Sequence, residues 1–137
     1  MKILMFYCKE FWYRVGRKSL APDDSLIGTE WSGENCSVIF IHVEAEDETR
    51  EKSVASKLLK NTVWHARKVN TNCVVLHSFA HLSESKASPD FAKDLIEKVA
   101  EKLKQKGFDV HVTPFGYFLE FRIHNYDEPI SRVFKSI

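Results

Sequence analysis

Glycine is scarce in this 137-residue sequence, with 5 in all, and none falls in a GxxxxGK or GxGxxG run. Loops that cradle phosphates with consecutive backbone amides need such runs, so nucleotide hydrolysis by a P-loop is not expected. Cysteine is sparse and odd in number: Cys8, Cys36 and Cys73 are widely separated and form no CxxC pair. A thiolate zinc site is therefore not expected, and a reduced, cytoplasmic setting suits the three thiols best. No run of about 18 apolar residues occurs, so no transmembrane helix is expected. The opening Met1-Lys-Ile-Leu-Met-Phe-Tyr7 has only a short apolar run, followed by Lys9 and Glu10, and lacks the cleavage site of a signal peptide. An excess of one charge is missing too. At +1 the net charge supplies no global field for nucleic acid, although it is compatible with a local basic patch. Neither a GxSxG elbow nor a glycosidase-like carboxylate pair is present.

What is present suits one α/β domain, long enough to bury about two thirds of its unfolded surface. Ile3 to Tyr7 and Phe11 to Val15 read as two strands with a turn at Cys8–Glu10. Ser19 to Glu34 holds Pro22, Gly28 and Gly33 and reads as a loop, with Trp31 as a plug packed on the core. Cys36 to Glu44 is the strongest strand signal. A helix follows from about Thr49 to Val69, with Val54, Leu58, Val63 and Ala66 on one stripe. Its Lys57, Lys60, Arg67 and Lys68 read either as a solvated face or as contacts to an RNA backbone. Ser88-Pro89 starts a second helix, striped by Phe91, Leu95, Ile96, Val99 and Leu103 and capped by Gly107. Phe108 to Val112 and Tyr117 to Ile123 are strands, and the tail from Asp127 reads as a short helix or arm. The sum is a mixed, barrel-like sheet with two main helices.

The centre of this plan is Cys73 to Ser83. Val74-Val75-Leu76 is a buried strand that gives way at once to His77, Ser78, Phe79, Ala80 and His81. Polar and aromatic groups at the exit of a central strand line pockets. Thr113-Pro-Phe-Gly-Tyr-Phe118 has similar punctuation and is expected to face it. It reads either as a tight turn between strands or as a ligand wall, with Gly116 allowing close approach to backbone amides and Phe115 or Tyr117 flanking it. His77 and His81 have the four-residue spacing of helical metal ligands, but at a strand exit this does not converge, and no metal is expected. His81, on the loop, suits binding or proton transfer. His42 and His124 read as surface or satisfied half-buried groups. Cys73 or Cys8 paired with a histidine is the weaker, covalent alternative.

These segments carry a resemblance. Ser78-Phe-Ala-His-Leu-Ser83, the Ser88-Pro helix, Lys106-Gly-Phe108 and Pro114-Phe-Gly-Tyr117 together resemble the N-terminal editing domain of archaeal threonyl-tRNA synthetases. Weaker similarity spans the chain from Met1 through Phe40-Ile-His-Val-Glu44. The resemblance implies a fold shared with D-aminoacyl-tRNA deacylases, a homodimer, and hydrolysis of serine mischarged on tRNA(Thr), without a cofactor. Such editing is needed because one methyl gives a synthetic site only about 1–3 kcal/mol against serine. It further implies that Val43 meets the terminal adenosine through backbone groups, and that Ser78, Phe79, Ala80, His81, Phe115, Gly116, Tyr117, Phe118 and Glu120 surround the seryl group. His81, Gly116 and Tyr117 would act on the reacting ester, where water attacks with help from the tRNA 2′-hydroxyl. Residues 1–137 would then be the N-terminal part of a longer synthetase chain, and the abrupt end at Ser136-Ile137 suits that expectation.

The sequence also departs from the family. Leu119 stands where the family commonly has lysine, Arg132 where it often has glutamate, and Tyr7-Cys8-Lys9 where it often has His-Ser-Asp. If backbone amides and the RNA hydroxyl carry the reaction, these losses are tolerated. The alternatives are a D-aminoacyl-tRNA deacylase, which usually has a Gly-Pro pair where this chain has Thr113-Pro-Phe-Gly, and a non-catalytic tRNA-binding or dimerisation module.

Overall fold

The computed structural model describes residues 1–137, and its first element, β1, runs unbroken over Lys2–Lys18. This corrects the two-strand expectation. Inward-facing Cys8, Phe11, Tyr13 and Val15 keep a buried face going through the supposed turn. What Cys8–Glu10 marks instead is an irregularity in the pairing register with a neighbouring strand. The following loop is shorter than expected, because β2 spans Glu30–His42 and takes in Trp31. Trp31 does pack as a plug: its ring stacks on His111 with centroids 3.9 Å apart.

After β2 come α1 (Glu51–Lys68), β3 (Cys73–Ser78), α2 (Pro89–Gln105), β4 (Asp109–Val112) and β5 (Tyr117–Asn125). The tail, expected as a short helix or arm, is a short 3-10 helix, Pro129–Ser131, followed by a strand, β6 (Arg132–Ser136). Ser88 caps α2 through the Phe91 amide at 3.3 Å, as its position before Pro89 predicts.

The sheet order is β4-β3-β2-β1-β5, with β6 also on β1. β1 pairs antiparallel with β2, while its outer edge is shared, β6 taking the first part and β5 the second. β2, β3 and β4 are parallel, with α1 and α2 as crossovers. One sheet face packs Ile3, Met5, Ile39, Ile41, Val74 and Leu76 against Leu58 of α1 and Leu95, Ile96 and Val99 of α2. The other face curls around Phe11, Tyr13, Val38, Phe40 and Val75. The fold is thus the expected α/β domain with a curled mixed sheet and two helices.

The cysteines differ from expectation. Cys36 and Cys73 lie opposite one another in the parallel β2–β3 register, Cα atoms 4.8 Å apart, and form a disulfide. Only Cys8 is free, and it is buried. Three free thiols were the basis for a reducing compartment, and that basis is gone. No helix is long and apolar enough to cross a membrane.

Candidate active site

β2 and β3 run in parallel, so their carboxyl ends open on one rim, where crossovers depart and ligands usually bind. A cavity of about 410 Å³ lies there, which suits a small-molecule-sized group. One wall is Ser78-Phe-Ala-His81, with Ile41 and Val43 beside it; the other is Pro114 to Leu119, with Phe121. The two segments singled out from sequence therefore do face each other.

The first wall is fixed from behind. The amide of Phe79 donates to the Ile41 carbonyl at 2.8 Å, and that of Ala87 to the Val43 carbonyl at 3.1 Å. His42 is fully buried. Its Nδ1 accepts from the Leu82 amide at 2.9 Å and its Nε2 donates to the Ser85 carbonyl at 2.6 Å. Both ring nitrogens are thus spent on holding the loop, a structural role that fits the expectation of a satisfied group. Ser83 donates to Glu44 at 2.6 Å. Burial alone would raise the Glu44 carboxyl, but the Met1 ammonium at 2.7 Å, Ser83 and Lys2 outweigh it and hold it at about 2. The loop thus rests on a carboxylate that is ionised at neutral pH.

The second wall is not a hairpin turn. β4 and β5 lie on opposite edges of the sheet, so Thr113–Gly116 is a crossing over the open end of the curl. The Gly116 carbonyl accepts from the amides of Ser19, Leu20 and Ala21 at 2.7, 3.0 and 3.1 Å. A Cβ on Gly116 would sit 2.5 Å from the Ala21 nitrogen, and its φ is +84°. Glycine is needed here to seat the β1–β2 loop, whereas the sequence reading gave it to the ligand. The Tyr117 hydroxyl donates to the Asp23 carbonyl at 2.8 Å, so it too is engaged by that loop.

What remains free is backbone. The amides of Ala80, His81, Phe115 and Gly116 donate to no protein acceptor. Two of these belong to each wall. Free N–H groups bordering one cavity can polarise a carbonyl and hold the oxyanion that forms when water attacks it. No carboxylate lines the cavity, and Lys86 is its single lysine. His81 is exposed, with its ring edge-on to Phe79 at 4.9 Å and no hydrogen bond holding it, so it is available for proton transfer. His77 is not: it is buried, bonded to Thr113 Oγ1 at 2.9 Å, and burial pushes it down to about 4. The two do not form a metal pair, and no three His, Cys, Asp or Glu side chains cluster as ligands. Cys73, bridged to Cys36, is no nucleophile.

Of the residues expected at the site, Val43, Ser78, Phe79, Ala80, His81, Phe115, Gly116, Tyr117 and Phe118 all line this cavity. Glu120 does not. It lies opposite Arg14 on β5, exposed, while Leu119 and Phe121 line the cavity instead. Arg132 is likewise outside, with its guanidinium on the Tyr126 carbonyl at 3.3 Å. The sequence reading missed Ser19, Leu20, Lys86, Leu119 and Phe121. Strand alternation on β5 was a usable signal for Leu119 and Phe121; nothing local signals Ser19 or Leu20.

Residues 1–137 match the family described as "Archaea-specific editing domain of threonyl-tRNA synthetase". The Threonine--tRNA ligase of Hyperthermus butylicus is 33% identical over 138 residues, which is 97% of this chain and 22% of that protein. That of Pyrococcus horikoshii is 33% identical over 139 residues, covering 100% of this chain and again 22% of the relative. The chain thus spans about a fifth of the length of these curated relatives. Among solved structures, the c-Myc DNA Unwinding Element Binding Protein superposes with a TM-score of 0.73 over 100% of this chain and 99% of that one. At 10% identity, that likeness speaks for the fold alone.

Proposed function

This chain belongs to the Archaea-specific editing domain family of threonyl-tRNA synthetase, and from that premise we propose that it hydrolyses the ester of seryl-tRNA(Thr). The observation that carries the reading is the set of unspent amides of Ala80, His81, Phe115 and Gly116 around a cavity lined by no carboxylate. The seryl carbonyl sits between the two walls. Water attacks it, the amides hold the developing oxyanion, and the tRNA 2′-hydroxyl and His81 assist proton transfer. The terminal adenosine lies toward Val43. No cofactor takes part, and the leaving group is the ribose oxygen of the tRNA. Leu119 and Arg132 do not disable this scheme, because it draws on backbone rather than on lysine or glutamate.

The protein that carries this domain works in the cytoplasm, as a homodimer, with a synthetase core in the same chain. The test is direct: purified protein is expected to deacylate Ser-tRNA(Thr) and spare Thr-tRNA(Thr). Equal rates on both, or none on either, would sink the serine assignment. Turnover of D-Tyr-tRNA instead would move the site to D-aminoacyl proofreading. A second reading has one observation in its favour: Leu119 puts an apolar group into the cavity where the family commonly has lysine. On that reading the domain binds tRNA without turnover, and the same assay separates the two.

A further inference from the structure

The two helices present very different faces to solvent. Along α2, the exposed Lys93, Lys98, Lys102 and Lys104 are interleaved with Asp94, Glu97 and Glu101. Along α1, no carboxylate follows Glu51, and Lys57, Lys60, Arg67 and Lys68 are all exposed. At 100° per residue these four fall within one arc, and Trp64 falls in the middle of it. Trp64 is 38% exposed, on the solvent face between Lys60, Arg67 and Lys68, while Val63 and His65 on either side of it in sequence are buried. Lys135 of β6 places its ammonium 5.8 Å from the centre of the Trp64 ring, adding a fifth cation from another element. Phe134 beside it is 54% exposed. None of the five cations is in an ion pair: those in the fold use Met1, Lys2, Arg50, Lys98, Lys104 and Arg122.

The patch is held in shape from below. His65, next to Trp64 and fully buried, donates from Nε2 to the Ile130 carbonyl at 2.8 Å and accepts from Ser37 Oγ at 2.6 Å on Nδ1. That pins the approach to β6 against α1, so Lys135 and Trp64 keep their relation. A chain of net charge +1 has gathered five unpaired cations around one exposed aromatic ring.

We propose that this α1–β6 face binds the phosphate backbone of the tRNA, as a second contact separate from the cavity. Resting on the proposed function, the proposal assigns the surface against which the body of the substrate lies while its ester end is in the site. From Lys57 to Lys68 the stripe is about 16 Å long, enough for several successive phosphates. A second copy of this chain is a poor occupant, since a two-fold contact centred on Trp64 would set five cations against five. Phosphate oxygens match what the face offers, and an exposed indole adds a stacking or sugar contact.

The experiment is tRNA binding at a series of salt concentrations, with hydrolysis measured in parallel. One variant carries Lys57→Gln, Lys60→Gln, Arg67→Gln and Lys68→Gln. Its control carries the same charge change on α2, with Lys93→Gln, Lys102→Gln, Lys104→Gln and Lys106→Gln. The α1 variant is expected to lose at least about tenfold in affinity, with the slope of log K against log salt shallower by roughly 2 to 3. KM for aminoacyl-tRNA should rise while kcat holds, and the α2 control should behave as wild type. Equal slopes for all three proteins overturn the proposal, as does a slope that falls equally in both variants. An α1 variant with unchanged RNA binding and altered oligomeric mass overturns it in favour of a protein partner. Should the α1 variant fold poorly, protection of Lys57, Lys60 and Lys68 from chemical acetylation by bound tRNA decides on the wild-type chain, and no protection overturns the proposal. Wild-type protein that binds with a steep slope but hydrolyses nothing refutes the editing reading and leaves this one standing.

Discussion

The two ends of the parallel strands are built on opposite terms. Where β2 and β3 begin, polar groups are consumed in pairs: Cys36 with Cys73, His111 with Tyr13 at 2.7 Å, and Thr71 with the Asn35 carbonyl. Trp31 closes the stack over His111, whose protonation is disfavoured by burial. Where the same strands end, the loops are just as firmly tied, by His42, Glu44 and the Gly116 carbonyl, yet backbone amides such as those of Ala80, His81, Phe115 and Gly116 are left without a protein acceptor. Ala80 and His81 are exposed, so their amides are open to water or to a ligand, while those of the half-buried Phe115 and Gly116 lack a protein partner, a cost that a ligand carbonyl would offset. Both ends are ordered, and the cavity lies at only one of them.

The largest effect that would break this contrast is expected at Gly116. Gly116→Val forces a branched side chain into a positive φ and onto the Ala21 backbone, which should cost roughly 3 kcal/mol or more and abolish hydrolysis together. Denaturant titration and deacylation assays read the two losses. Full stability with normal turnover would mean the loop is not seated as described.

Next comes His77. Its proton affinity is depressed in the fold, to about 4 from an ordinary 6.5, because burial disfavours the cation. The unfolded chain therefore takes up a proton below 6.5 that the fold refuses. This contribution to stability is complete above pH 6.5 and is lost as pH falls toward 4, by about 3 kcal/mol. His77→Gln should make the stability curve shallower by that amount across the window, and an unchanged curve would refute the assignment.

At the opposite end, Trp31→Ala should remove about 2 kcal/mol of stacking and burial while leaving kcat within twofold, because Trp31 does not line the cavity. A collapse of kcat with stability preserved would erase the distinction between the ends. The smallest effect belongs to His81. With backbone amides carrying most of the work, His81→Ala should slow hydrolysis about tenfold, near 1.4 kcal/mol, without moving the denaturation midpoint. A loss of ten-thousandfold would instead make His81 the principal base.

Much of this was legible in sequence, for definite reasons. Val74 to Leu76 and the stripe on α2 are strong because hydrophobic period alone determines them. Both cavity walls were found because Phe79 to His81 and Pro114 to Gly116 break pattern at the ends of strands. Other features depended on distant partners. The sequence at Cys8–Glu10 has polar punctuation, but two neighbouring strands hold it extended. Whether Pro114-Phe-Gly116 turns back or crosses over depends on where β5 pairs, and that is decided by β1. Gly116 stands out in the sequence as a site of close approach, and the structure adds the Leu20–Ala21 backbone as a neighbour that requires glycine there: a glycine reports a close approach without saying who approaches. The cysteine pair followed from register, since Cys36 and Cys73 each stand at the start of a parallel pairing.

One consequence of the Gly116 anchor concerns what can vary. A surface loop between two strands is ordinarily where insertions are absorbed most cheaply. Here Ser19 to Ala21 hang from one carbonyl and Asp23 from the Tyr117 hydroxyl, so the leading half of the loop belongs to the cavity wall. The trailing half is tied as well, Ile27 to the Asp24 carbonyl at 3.1 Å and Gly28 to the Val15 carbonyl of β1 at 2.8 Å, but it makes no bond to the cavity wall. If the site does what we propose and tells two side chains apart by one methyl, it needs a mesh that does not stretch. The loop that looks most expendable supplies its stiffness.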